Sequence, residues 1–165
     1  MYGDFIRKRP HAILDDMNDV IVTGGILQIW YIKQSDVDRL KDLNGQIFVI
    51  LKASKAWTEL DYVPESASLT QQGMSASSSI PYNYMIKVDI GGMTEANMRL
   101  VHSLLTEKYM VKCSDTNGNV WLMGNKRIAG KWAQSIGKVG ENLISDNEIL
   151  LSYTTRDTKP LQKVE

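Results

Sequence analysis

Asn117-Gly118 constrains this chain more than any other dipeptide in it. A type I′ turn needs φ above zero at both central residues, and Asn-Gly accepts that conformation readily. Two strands are therefore expected to meet there, residues 109–114 going out and residues 120–123 returning. With Asn117 and Gly118 as the turn residues, Thr116 faces Asn119, Cys113 faces Leu122 and Val111 faces Gly124. That register puts Val111, Cys113, Val120 and Leu122 on one face and Lys112, Ser114, Trp121 and Met123 on the other. Upstream, residues 82–90 read as a strand ended by Gly91-Gly92. Thr94 caps a helix whose stripe Leu100, Val101, Leu104, Leu105 recurs at helical spacing. The stretch 80–124 is thus strand, helix, hairpin, with one apolar side that needs a cover.

The remaining chain is read around this unit. Residues 1–11 hold Arg7, Lys8 and Arg9 before Pro10 and read as an N-terminal arm: a disordered terminus, or a segment that docks on a neighbouring subunit. Residues 20–33 are apolar and β-branched around Gly24-Gly25, as one bulged strand or as a hairpin with a Gly-Gly turn. Beyond the glycines both faces are largely apolar, which suits a strand covered on both sides or one whose outer face meets another chain. Ser35 and Asp38 have capping-box spacing, and Val37 and Leu40 lie three apart. A short helix is expected there, stopped by Asn44-Gly45. Residues 46–52 read as a strand, and residues 57–63 as a strand or extended segment ending at Pro64.

Residues 65–79 change character, with six serines and no aromatic side chain. Such a stretch reads as a long loop or extended arm, because it offers little apolar surface to bury. After the hairpin come one or two strands within 126–136, then a last strand over 148–155. In that strand Ile149, Leu151 and Tyr153 point one way and Leu150 and Ser152 the other. Residues 161–165 read as a tail. Strands arrive in local runs, without strand–helix alternation. The expected fold is α+β, mainly β: residues 12–160 form a single domain, an antiparallel sheet or β-sandwich-like body with one packed helix and extended arms.

Composition narrows the function. The 165 residues carry 19 basic and 19 acidic side chains, so no overall field draws in nucleic acid or an anionic membrane. No apolar run reaches the roughly 18 residues of a membrane helix, and no secretory h-region follows the polar N-terminus. The single cysteine, Cys113, reads as a small core residue. Asp115, Asn117 and Asn119 imitate the start of a calcium loop, but positions six and twelve would be Val120 and Lys126 instead of Gly and Glu. Gly137-Lys138 lacks the rest of a phosphate loop. His11, with Asp15 and Asp16 near, gains no further metal ligand, and His102 reads as solvated. No catalytic, metal-binding or cofactor-binding set emerges, no cofactor is expected, and the chain reads as a non-enzyme. Trp30, Tyr31, Trp57, Tyr62, Tyr82 and Tyr84 raise one alternative, a platform stacking single-stranded nucleic acid.

Seven features from about Gln46 to Pro160 carry a resemblance: a strand, a polar extended arm, the strand "YNYMIKVDIGG", the helix "EANMRLVHSLLTEK", the hairpin "YMVKCSDTNGNVWLMG", a Gly-rich turn, and the closing strand "NEILLSYTTRDTKP". Their order, over about two-thirds of the chain, resembles that of small structural proteins of tailed bacteriophages of Bacteroidetes hosts, including crAss-like phages. The resemblance implies a virion component, assembled in the host cytoplasm, that closes into a homo-oligomeric ring in the neck or tail. Its partners would be portal, tail or neck proteins. No membrane is involved, and nucleic acid enters only as the genome passing through the ring. The subunit-interface residues expected for that role are Phe5, Arg7, Lys8, Arg9, Trp30, Gln71, Gln72, Met74 and Ser77.

Overall fold

In the computed structural model, which describes residues 20–22, 25–73, 82–138 and 148–164, alternating side chains do most of the building. The elements run β1 (Val20–Val22), β2 (Ile26–Lys33), a 3-10 turn at Gln34–Asp36, β3 (Val37–Leu43), β4 (Gln46–Leu51), β5 (Thr58–Glu59), β6 (Ser68–Gly73), β7 (Tyr82–Asp89), α1 (Glu95–Thr106), β8 (Tyr109–Asp115), β9 (Val120–Met123), β10 (Lys131–Lys138), β11 (Glu148–Asp157) and β12 (Gln162–Lys163). One sheet has the order β1-β6-β7-β11-β10 and a second β12-β9-β8-β2-β5, while β3 and β4 form a separate hairpin. The strand pairings within these sheets are antiparallel. The protein is a mainly β, sandwich-like α+β fold.

The main core lies between the two sheets. Leu69, Tyr84, Ile86, Val88, Ile149, Leu151 and Tyr153 come from the first sheet, and Ile29, Tyr109, Val111, Cys113 and Met123 from the second. Each aliphatic side chain fully withdrawn from water there contributes roughly 1.5–3 kcal/mol. Tyr153 crosses the sandwich: its hydroxyl lies 2.9 Å from the Tyr109 carbonyl and 3.3 Å from that of Met123, so it donates into the opposite sheet. Gly130 makes room for that ring, since a Cβ there would sit 2.2 Å from Tyr153 Cζ. The helix α1 begins as expected, with Thr94 Oγ1 accepting from the Asn97 amide at 3.1 Å. Its buried face is narrower than the expected stripe: Val101 and Leu104 are buried and Leu100 partly so, whereas Leu105 is 43% exposed.

Five sequence readings are corrected. The β8–β9 register pairs Val111 with Met123 and Cys113 with Trp121, one residue away from the expected pairing. Trp121 and Met123 therefore share the inner face with Val111 and Cys113, and Val120 and Leu122 turn outward. The reason is the loop. Asp115 and Asn119 close it through a 2.9 Å backbone bond, and of Asn117 and Gly118 only Gly118 has positive φ. The connection is a three-residue loop ending in a left-handed glycine rather than a two-residue turn.

The helix expected at Ser35 is β3. A bulge between Val37 and Arg39 puts Val37 opposite Leu51 and Leu40 opposite Val49. One inserted residue turns a three-residue spacing into one strand face, which is why the segment mimics a helix. The Lys126 ammonium donates to the Val37 and Asp38 carbonyls at 2.7 and 2.8 Å, satisfying the bulge. Asn44-Gly45, expected to stop a helix, is the real two-residue hairpin turn, with φ of 56° and 84°.

Neither reading of residues 20–33 survives. β1 and β2 belong to opposite sheets, so the chain has changed layers between Val22 and Ile26. Part of the expected loop or arm at 65–79 is β6, which lies between β1 and β7. Leu69 and Gln71 point inward, and the buried Gln71 accepts from the Leu161 amide at 2.8 Å. The rest of that segment, from residue 74 to 79, lies outside the described residues.

The expected tail is likewise integrated as far as Val164. β12 pairs with β9, and Val164 bridges to Ile47. Val164 and Ile47 join Val37, Ile32, Met110 and Leu122 in a second, smaller core on the outer face of the second sheet.

Candidate functional site

Among the described residues the groups that chemistry would need are dispersed or withdrawn, and His11, Asp15 and Asp16 lie outside those residues. Among the described residues no three of His, Cys, Asp or Glu are placed to hold a metal ion. His102 lies exposed on α1. Cys113 is fully buried, and burial, with the nearby Asp115 charge, pushes its thiol up to about 12. A thiol held protonated in this way is a packing residue and a poor nucleophile.

Asp115 shows how the calcium-like spacing is used. Burial raises the cost of its charge, but hydrogen bonds overcome it. Asn119 Nδ2 donates to Oδ2 at 3.0 Å, Trp121 Nε1 to Oδ2 at 2.9 Å, and the amides of Asn119 and Asn117 to Oδ1 at 2.9 and 2.8 Å. The balance holds the carboxyl down at about 2. All its acceptor capacity is spent inside its own hairpin, in the role of a loop organiser.

A second cluster sits on the outer face of the second sheet. The Lys112 ammonium lies 5.0 Å from the ring centroids of both Trp30 and Trp57. Partial burial lowers its pKa. The two indoles are thus occupied by the chain's own cation. The other aromatic residues considered for stacking do not join them: Tyr84 is buried, and Tyr31, Tyr62 and Tyr82 pack against the main core.

A concave feature among the described residues is a groove of about 620 Å³ at the end of β2, lined by Ile26, Leu27, Glu59, Leu60, Asp61, Tyr62, Pro64 and Glu65. Its walls are well fastened. The Leu60 amide donates to the Ile29 carbonyl at 2.8 Å, the Tyr62 hydroxyl to the Ile26 carbonyl at 3.0 Å, and the Val63 amide to the Asp89 carbonyl at 2.8 Å. Ser66 Oγ donates to the Val63 carbonyl and accepts from the Asp89 amide. The floor is apolar and the rim carries Glu59, Asp61 and Glu65. None of these three carboxylates has an ion-pair partner among the described residues; Glu59 accepts one hydrogen bond, from Gln28. Such a surface suits an extended, apolar and cationic segment.

The residues singled out from the sequence are scattered relative to this groove. Trp30 lies in the Lys112 cluster. Gln71 is buried and occupied within its own chain, and Gln72 is exposed on β6. Phe5, Arg7, Lys8, Arg9, Met74 and Ser77 lie outside the described residues. Sequence reasoning missed the groove because Glu59 reads as an ordinary solvated acid. A signal was present: no Lys or Arg occurs between Lys55 and Lys87, so the acids there have no local counter-charge. Comparison with known proteins adds no relative: no family model, no curated protein and no solved structure matches the chain.

Proposed function

We propose that this chain is a non-enzymatic structural component of a tailed-phage virion, assembling with copies of itself into a ring in the neck or tail. The order of its strand, helix and hairpin stretches suggests that class. The observation that carries the reading is the fastened groove, with its apolar floor and three carboxylates lacking cations among the described residues. That suits a surface for receiving a polypeptide segment, while the other ionisable groups among the described residues are buried, internally bonded or scattered. Head-to-tail contacts related by rotation close into rings, and portal, tail or neck proteins are the neighbours such a ring would have.

Electron microscopy of the purified chain is expected to show closed rings, and sedimentation to show mass rising with concentration. A chain that stays monomeric at high concentration, without rings, overturns the proposal. The nucleic-acid alternative has less support, because Tyr84 is buried and Trp30 and Trp57 flank Lys112. It requires single-strand binding that weakens steeply with salt; absence of such binding removes it.

A further inference from the structure

We infer that the groove beside β2 receives the N-terminal segment 5–9 of a second copy of this chain. The inference rests on the assembly reading and names the surface through which assembly would run.

The β2 edge invites a strand. β5 pairs with β2 only at Trp30 and Tyr31, and Leu60 continues with one bond to Ile29. From Gln28 back to Ile26 no strand lies alongside on that edge among the described residues, and the Tyr62 hydroxyl meets it at the Ile26 carbonyl. Leu27, in this stretch, is 60% exposed. An open edge next to an exposed apolar side chain is the usual site for addition of an extended segment.

Charge and apolar pattern identify the occupant. The groove offers Glu59, Asp61 and Glu65 around a floor of Ile26, Leu60 and Tyr62. The segment Phe5-Ile6-Arg7-Lys8-Arg9 has the complementary order: two apolar side chains, then three consecutive cations, the densest basic run in the chain. β1 runs from Val20 to Val22 and leads on to Ile26, so the described chain starts at the end of β1 farther in sequence from the groove, and a second copy is the occupant that the assembly reading names.

The test uses full-length chains. One variant carries Arg7→Glu, Lys8→Glu and Arg9→Glu; another carries Glu59→Lys, Asp61→Lys and Glu65→Lys; circular dichroism establishes that both are folded. A labelled peptide of residues 1–11 is titrated into the arm-reversed chain, then into a chain that also carries the groove reversals. The expected loss of affinity is roughly tenfold or more at low salt. Equal affinity overturns the inference, whether or not the wild type assembles.

Sedimentation of the wild type, each variant and their mixture reads the same contact in the whole protein. Each reversal alone should dissociate the assembly, and mixing the two should restore it, because each arm then meets a groove of opposite charge. Assemblies that persist in both variants overturn the groove but leave the assembly reading standing. Pairing recovered only in a monomer carrying both reversals places the arm on its own subunit and overturns the second-copy inference.

Discussion

Asp42-Leu43-Asn44-Gly45 and Asp115-Thr116-Asn117-Gly118 share one pattern, Asp-x-Asn-Gly, yet they build different turns. At the first, Asn44 and Gly45 both have positive φ and Leu43 pairs with Gln46, as in a two-residue hairpin. At the second, only the glycine of the pair has positive φ and the loop has three residues. The aspartates differ accordingly. Asp42 is exposed and accepts from the Gly45 amide at 3.0 Å. Asp115 is 2% exposed and takes donors from three residues, including the Trp121 indole. The shared pattern specifies that the chain reverses. Packing of the returning strand specifies the turn, because reaching the Asp115 carboxylate brings Trp121 to the inner face.

The largest break in this comparison is expected from Asp115→Ala, which strands the half-buried Trp121 and Asn119 donors and should cost about 3 kcal/mol in urea denaturation. Asp42→Ala, at an exposed site, should cost under about 1 kcal/mol. Equal losses would mean that the buried network is not what separates the two turns.

Acid should expose the same difference. The Asp115 carboxyl is held at about 2, below its ordinary 3.8, so its contribution is complete above about pH 4 and is lost as pH falls through 2. Wild type should lose roughly 1–2 kcal/mol more than Asp115→Asn between pH 5 and pH 2; parallel pH profiles would refute the linkage.

A smaller effect reverses the ranking of the two hairpins. Asn44→Ala places a Cβ without a polar side chain at positive φ and should cost about 1 kcal/mol, whereas Asn117→Ala should stay within about 0.5 kcal/mol. Melting of the two variants decides whether the turn geometries differ as described.

Last, Cys113 should react with a disulfide reagent only on unfolding, while a cysteine placed at exposed Asn44 should react at once. Fast labelling of native Cys113 would show that the β8–β9 face is open.

The hairpins also show how far the residues could be read unaided. The reversal at Asn117-Gly118, the Thr94 cap and the inward set Ile149, Leu151, Tyr153 depend on neighbours in sequence, and they were legible. The β3 strand was not. Its bulge imposed helix-like spacing on Val37 and Leu40, and the apolar face that holds it down comes from β4 and the distant Val164. β6 escaped notice because its polar composition hides that it needs few inward side chains between β1 and β7, with Gln71 satisfied by Leu161. The groove was least legible, since it joins Ile26 and Leu27 to acids more than thirty residues away.

By itself the amino-acid order determined a mainly β chain with a capped helix at Thr94 and a reversal at Asn117-Gly118, because alternation, capping and turn preference act over a few residues. Tertiary structure decided the register of β8 and β9, the layer change between β1 and β2, the burial of Val164 and the meeting of Glu59, Asp61 and Glu65 beside the end of β2. Those outcomes depend on which distant surfaces exclude water together, and local spacing does not encode that choice.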